Sequence, residues 1–315
     1  MAFGHSDLVP TFRSAPVYET RDLDATRCMC DGCDPRRARE EATTRASLWL
    51  VTAGAMQVRD ANGVRVIDPT LAIVMPPHHP FVVTHPAGPD ICLGFHGPLI
   101  DELAAHGPRL IPITPAIVAR ISAELAAYRG GTADDLALTE LLGAVADPAR
   151  DGSTTPVVVG SVDAAIGTGR DLASAVAREL RLSYSQSTTL GELAETTGYS
   201  VFHTCRVFQR ATGQTIHGFR RELRLRHALA RLLDGDEPLA EIAAATGFAS
   251  QSHLTNLFRA RFGITPGRVR TRDGQRLLAG YSASSLSSSS ASGSTLRSSR
   301  ERSSQPGPNH SAPIL

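Results

Sequence analysis

The stretch Gly247–Gly263 reads GFASQSHLTNLFRARFG, and about fifty residues earlier Gly198–Gly213 reads GYSVFHTCRVFQRATG. Both open on Gly followed by an aromatic residue. Both carry a Phe ahead of a polar, basic stretch, and both close on Gly. At an offset of 49 residues Glu192 matches Glu241, Ala194 matches Ala243, Thr197 matches Thr246 and Gly198 matches Gly247. After the turn the offset becomes 50, so that His203 matches His253, Phe208 matches Phe258, Gly213 matches Gly263 and Thr215 matches Thr265. The second copy holds one extra residue in its turn.

Each copy follows the grammar of a helix-turn-helix. A short helix, LGELAETT or LAEIAAAT, buries Leu193 or Ile242 beside an Ala. Gly198 or Gly247 follows at the C-terminal position, where positive φ is easiest for Gly. Tyr199 or Phe248 then plugs the angle between the helices, and Ser200 or Ser250 caps the next helix. A tight turn that holds a second helix outward is the geometry that enters a DNA major groove. One copy alone reads equally well as a plain αα-hairpin. Two copies joined by HGFRRELRLRHALARLL are more specific. That connector predicts one helix from Phe219 to Leu233, ~22 Å long at the usual helical rise. Such a strut sets two reading helices about one DNA turn apart, ~34 Å.

From about Asp171 to Arg270 the chain resembles the DNA-binding domain of the AraC/XylS family of bacterial transcription regulators. The resemblance is carried by Ile242-Ala243, Gly247-Phe248, Ser252, Phe258, Phe262-Gly263 and Thr265-Pro266, and it covers about a third of the chain. The first copy departs from the family: Thr204 stands where Leu is usual, and His203 where an aromatic is common. The resemblance implies a sequence-specific regulator that grips double-stranded DNA, with RNA polymerase as a partner if it activates.

Residue roles follow from side-chain chemistry. Phe208, Leu257, Phe258 and Phe262 lie at core spacing. Val201, Phe202, Cys205, Arg206 and Gln209 face outward in the first reading helix, and Ser250, Gln251, Thr255, Asn256 and Arg259 in the second. Val201, Phe202, Arg206, Gln209, Ser250, Gln251, Thr255 and Asn256 are the expected base-readers. Arg206 suits guanine O6/N7, and Gln251 or Asn256 suits adenine. The family often carries Arg where Arg206 and Asn256 stand, so the base preferred at Asn256 differs. Arg210, Arg224, Arg226, Arg259 and Arg268 are expected at phosphates or in local ion pairs, where contacts orient without reading sequence. For every one of these residues a solvated surface is the alternative.

Charge supports a division of labour. Residues 168–272 hold 15 Arg against 9 acidic residues, whereas residues 1–167 hold 13 Arg against 20 acidic residues. The chain has no Lys, so every basic side chain is Arg. Only the C-terminal part is suited to a polyanion.

The whole chain reads as α+β. Residues 1–45 are expected to be an irregular, Cys-containing arm. Residues 46–146 predict a cupin-like β-barrel or sandwich, with six short strands between Ala46 and Phe95, followed by helices of a dimerisation type. Thr114 and Pro115 open one of these helices as cap and first turn, and the segments over 114–146 offer a homodimer surface. Residues 147–169 read as a linker, 170–272 as an all-α domain with two helix-turn-helix units, and 273–315 as a Ser-rich tail too poor in apolar residues to order. The similarity of 46–95 to the sensing domain of many AraC/XylS members implies a small-molecule effector. No apolar run approaches the ~18 residues of a membrane span, and the N-terminus lacks the pattern of a secretory signal. A cytoplasmic protein with no membrane partner is expected.

The N-terminal half carries two candidate chemistries. RCMCDGCD places Cys28, Cys30 and Cys33 close together, with Cys92 on a strand able to come alongside. Four thiolates, or three with a His or Asp, suit Zn²⁺ or another thiophilic metal. Arg27, Arg36 and Arg37 favour redox chemistry instead by stabilising a thiolate, and free thiols with no role are the third reading. PPHHPFVVTHP offers His78, His79 and His85. Adjacent strand residues point to opposite faces, so a shared metal needs a turn there. A cupin-type metalloenzyme with a helical appendage is therefore the alternative to a regulator. A serine-nucleophile elbow, a phosphate loop and HExxH are all absent from the sequence.

Overall fold

The apolar runs of the N-terminal half divide residue by residue between two cores. In the strand Ser47–Ala53 (β4), Leu48 and Leu50 join one cluster while Trp49 and Val51 join another. In Leu71–Met75 (β7), Ala72 and Val74 go with the former, and Ile73 and Met75 with the latter. Side chains alternate across a strand. LAIVM is apolar throughout because both of its faces are covered, the pattern of a doubly buried strand.

The computed structural model describes residues 12–31, 40–134, 136–146 and 169–280. The strands are Phe12–Glu19 (β1), Asp24–Cys30 (β2), Glu40–Ala42 (β3), β4, Met56–Asp60 (β5), Gly63–Ile67 (β6), β7, Pro80–Thr84 (β8), Asp90–His96 (β9) and Arg109–Pro112 (β10). They form a six-stranded sheet in the order β1-β2-β9-β4-β7-β10 and a four-stranded sheet in the order β3-β8-β5-β6. Val51, Met56, Val58, Ile67, Ile73, Met75 and Phe81 fill the space between the sheets. The outer face of the larger sheet carries Leu48, Leu50, Leu93 and Phe95, covered by Pro98–Ala104 (α1), Pro115–Arg129 (α2) and Ala137–Ala146 (α3). The Thr114 side chain caps α2 by accepting from the Ile117 N–H at 3.3 Å.

Helices follow from Gly169: Gly169–Leu182 (α4), Leu190–Thr197 (α5), Val201–Thr212 (α6), Ile216–Asp234 (α7), Leu239–Ala245 (α8), Gln251–Phe262 (α9), Pro266–Val269 (α10) and Arg272–Ala279 (α11). Helix α7 belongs to two cores. Ile216 and Leu223 join Leu172, Leu180, Leu193 and Phe208, whereas Leu225, Ala228, Leu229 and Leu232 join Ile242, Leu254, Phe258 and Phe262. Each buried Leu contributes roughly 1.5–3 kcal/mol.

The same helix docks on the sheets. Arg226 is 5% exposed and donates from Nη2 to the Pro69 carbonyl at 2.8 Å and to the Ile113 carbonyl. On α4, Arg181 lies 3.2 Å from Asp68 in a buried ion pair. Both arginines reach the turn that follows β6. At the far end of α7, Asp234 pairs with Arg27 of β2 at 2.7 Å. Desolvation lowers Arg226 to about 10. Its neighbour His227 stacks on Tyr184 with ring centroids 3.5 Å apart and 1° between the planes. Neither ring nitrogen has a hydrogen-bond partner, and burial lowers this imidazole to about 4.

Three expectations change. The arm over 1–45 is not irregular throughout, since it supplies β1, β2 and β3. The connector is longer than Phe219–Leu233, because Thr215 caps a helix that runs to Asp234, 19 residues in all. The tail does not begin at 273, because Thr271 caps α11, which packs on α2. Part of helix α2 is taken up within the chain, since Ala119 enters the core shared with α7 and other residues meet α11. The linker apart from Gly169, and residues 281–315 of the tail, lie outside the described residues. Among the described residues no helix is long and apolar enough to cross a membrane.

His227 makes stability depend on acid. Between pH 6.5 and 4 the unfolded imidazole binds a proton that the folded one does not. Stability therefore falls as pH drops through that window, by up to about 3 kcal/mol. His227→Phe keeps a stacking ring and should flatten this dependence in denaturant titrations run from pH 7 to pH 4. An unchanged acid slope contradicts the assignment.

Candidate DNA-binding interface

Each helix-turn-helix is set by its own local chemistry. Thr189 and Glu192 form a capping box on α5: the Thr189 side chain accepts from the Glu192 N–H, and the Glu192 carboxylate accepts from the Thr189 N–H at 2.7 Å. The backbone hydrogen bond from Thr189, with a second from its hydroxyl, holds Glu192 below its ordinary value. Helix α8 starts at Pro238 with no side-chain cap. Gly198 and Gly247 both end their helices in the left-handed region, at φ 73° and 79°. At Gly198 an added Cβ meets open space, whereas at Gly247 it would lie 2.4 Å from the Ser185 carbonyl oxygen. The second turn is thus seated against the loop before α5, and Gly there is demanded twice over.

The aromatic plugs differ. Phe248 is 7% exposed and meets His253 edge-on, whereas Tyr199 is 40% exposed and stacks on His203. Ser200 and Ser250 cap α6 and α9 by accepting from the N–H groups of His203 and His253. Phe208 and Phe258 are fully buried beneath the two helices, and Leu254 matches Thr204. Thr204 keeps its hydroxyl in the core without a partner.

The outward faces match most expectations of exposure. Val201, Phe202, Arg206, Gln209 and Arg210 of α6 are exposed, as are Ser250, Gln251, Asn256 and Arg259 beside or on α9. Thr255 is half-buried. Phe202 is 72% exposed, and the Arg206 guanidinium lies 5.5 Å from its ring centre. Neither α6 nor α9 contains an acidic residue. Arg268, just beyond α9, is exposed too. Cys205 departs from its expected outward position, being half-buried against the core of the first unit.

Two phosphate assignments are corrected. Arg226 is committed to the Pro69 and Ile113 carbonyls inside the molecule. Arg224 donates from Nε to the Tyr184 carbonyl at 2.7 Å and from Nη2 to the Gln186 carbonyl at 2.9 Å. Arg220 donates likewise to the Thr188 carbonyl at 2.6 Å. These arginines of α7 satisfy the carbonyls that follow α4. Arg261 of α9 forms a two-pronged pair with Glu222 of α7, at 2.7 and 2.9 Å. Sequence reasoning missed these clamps because an Arg on a helix reads as surface. The run LRLRHALARLL, whose apolar residues spread over most of the helix circumference rather than one stripe, was the available signal.

In the sheets, Cys28 of β2 and Cys92 of β9 are direct register partners, and Cys30 faces Asp90. A Cys92 hydrogen bond keeps the Cys28 thiol below its ordinary value, and the same bond with burial raises Cys92 well above it. Cys33, Arg36 and Arg37 lie outside the described residues. Among the described residues no group of three or more His, Cys, Asp or Glu is placed to hold a metal. The three histidines have separate partners or roles: His79 pairs with Asp60 at 2.8 Å, His85 pairs with Asp90, and His78 turns the chain at φ 59°.

Residues 193–272 match a model described as a helix-turn-helix domain. The chain is 34% identical over 115 residues to the HTH-type transcriptional regulator GlxA of Rhizobium meliloti, covering 36% of this chain and 36% of that protein. It is 32% identical over 92 residues to the probable transcription factor PqrA of Proteus vulgaris, covering 29% of this chain and 75% of that protein. The chain thus spans about a third of the length of the first relative and three quarters of the second. A probable AraC family transcriptional regulator from Rhodopseudomonas palustris matches at 27% identity and TM-score 0.31, over 32% of this chain and 96% of that one.

The unpaired Thr204 hydroxyl marks a weak point in the first unit. A buried hydroxyl without a partner costs about 1–3 kcal/mol. Thr204→Val keeps the shape and removes the polar atom, and should raise stability by about 1 kcal/mol in denaturant unfolding. A drop in stability contradicts this reading.

Proposed function

As the chain belongs to the AraC/XylS family of transcription regulators, whose members matched here are DNA-binding regulators rather than enzymes, we propose that α6 and α9 read successive major-groove segments of one operator. The observation that carries this reading is the pair of exposed, acid-free helices fixed to a single connector. Arg206, Gln209 and the exposed Val201 and Phe202 read bases from α6, and Ser250, Gln251, Thr255 and Asn256 from α9 or its cap. Arg210, Arg259 and Arg268 meet phosphates. Ser250 spends one lone pair on capping α9, which leaves its hydroxyl proton and second lone pair to address a base.

The N-terminal sheets are proposed as a cupin-like sensing domain. A cavity of about 160 Å³ lies between the larger sheet, α2 and α7, bordered by Arg27, Thr52, Val118, Ser122, Leu233 and Asp234. A small effector there would touch the end of α7 directly and so favour one placement of the two readers over another. Activation would bring RNA polymerase as a partner. A homodimer would need a surface other than the apolar faces of α2 and α3, which the chain covers itself. A cytoplasmic location fits this role. Zinc at the cysteines would require Cys33 to complete a set that the described residues do not provide. The metalloenzyme alternative has no support from the histidines, which have separate partners or roles.

Affinity for a specific duplex should fall steeply as salt rises, because phosphate contacts release counterions. Arg206→Ala should weaken the specific duplex by roughly 1–3 kcal/mol and relax one base preference, with a smaller loss on unrelated DNA. Arg226→Ala should instead lower folding stability. Equal losses on specific and unrelated duplexes for Arg206→Ala contradict its base-reading role.

A further inference from the structure

Strand β2 carries two neighbouring residues with opposite commitments. Cys28 sits opposite Cys92 of β9, and Cys92 in turn lies beside Val51 of β4 and packs against the core between the sheets. Arg27, one residue earlier, points the other way and pairs with Asp234 at the end of α7 at 2.7 Å. Alternation along the strand produces this split. It also removes Arg27 from any part in activating Cys28.

The cysteine pair has the geometry of a cross-link held open. Directly opposed residues on antiparallel strands have Cα atoms roughly 4.5–5.5 Å apart, inside the roughly 4.4–6.8 Å span of a disulfide. The two side chains project from the same face of the sheet, because the residues are register partners. Both cysteines are free and only half-buried, so a small oxidant can reach them. Cys30 is a poor competitor. It lies diagonal to Cys92, where Cα atoms are roughly 7–8 Å apart, and its own register partner is Asp90. The DNA-reading role proposed above gives none of these residues a task.

We propose that Cys28 and Cys92 form a reversible redox site, oxidised to an intramolecular disulfide by a hydroperoxide, and that Arg27–Asp234 carries the change to the connector between the DNA readers. The second half of this proposal rests on the DNA-reading function above. In the first step the Cys28 thiolate attacks one peroxide oxygen and the O–O bond breaks. Cys28 becomes a sulfenic acid, and the departing alkoxide takes the proton that Cys28 released, leaving as an alcohol. Cys92 sulfur then attacks Cys28 sulfur, the S–O bond breaks, and hydroxide leaves as water with the Cys92 proton. Two thiols and one hydroperoxide give one disulfide, one alcohol and one water, with two electrons passing from sulfur to oxygen. A dithiol reductant reverses the change. Closing the link replaces a contact between two thiols with a covalent bond of fixed dihedral geometry, and the local adjustment of the β2 backbone is passed to Arg27, the adjacent residue.

The test uses the full-length chain with Cys30→Ser, Cys33→Ser and Cys205→Ser, which retains only Cys28 and Cys92. Treatment with a slight molar excess of tert-butyl hydroperoxide should lower its mass by 2 hydrogens, block both thiols from alkylation, and give one Cys28–Cys92 peptide after digestion. Dithiothreitol should restore the original mass. Coupling to the connector should change affinity for a specific duplex by at least about fivefold on oxidation, and Asp234→Asn should reduce that change while the disulfide still forms. Failure of the cross-link in this variant and in the unmutated chain overturns the site. A cross-link with unchanged affinity, in protein whose reduced form binds DNA, overturns the coupling. Stoichiometric zinc in the reduced unmutated chain that disappears in Cys28→Ser assigns the thiols to metal and overturns the redox role. Since the cross-link is read without DNA, failure of the DNA-reading function would be seen separately.

Discussion

Helix α7 has almost no solvent face along its middle turns: Leu225, Arg226, His227, Ala228, Leu229 and Ala230 are all buried. A helix buried all round has to be satisfied by several neighbours at once. Its N-terminal half completes the core of the first helix-turn-helix and its C-terminal half that of the second. On a third side Arg226 enters the N-terminal domain and donates to two carbonyls there. One rigid element therefore determines how the readers relate to each other and to the sheets. A buried guanidinium is costly to desolvate, and its lowered value of about 10 reflects that cost. Such a group is better suited to fixing a unique arrangement than to adding stability.

The two reading units share a sequence grammar but are secured differently. The first depends on the Thr189–Glu192 capping box and on carbonyls held by Arg220 and Arg224. Its plug Tyr199 is partly exposed, and Thr204 puts a polar atom into its core. The second has Leu254 and Phe248 buried, Gly247 pressed on Ser185, and Arg261 locked to Glu222. The second copy is thus the better packed of the two, in line with its closer resemblance to the family. The first has more freedom to adapt its exposed Phe202 and Arg206 to a groove.

The repeat was legible in the sequence because its determinants are local: Gly at positive φ, Ser at a cap and Phe at core spacing all act within a dozen residues. The six strands between Ala46 and Phe95 were legible for the same reason. Strand β2 was not, since DATRCMC alternates too weakly to announce a strand, and its partner β9 lies far along the chain. The pairing of Cys28 with Cys92 depends on that register, which no local pattern encodes. Arg224 and Arg226 misled because the carbonyls that accept from them belong to distant segments. Helix α11 was not legible because its eight residues, capped by Thr271, run directly into the Ser-rich tail and carry too few apolar positions to stand apart from it.

The central claim is that a single stiff connector fixes the separation and phase of two DNA readers. The most direct measurement is affinity for a series of operators in which base pairs are inserted between the two half-sites. A connector held as described predicts a steep loss at half a helical turn, about 5 base pairs, where the second groove faces away. Affinity that stays constant across the series would show that the two units move independently, and would contradict the account.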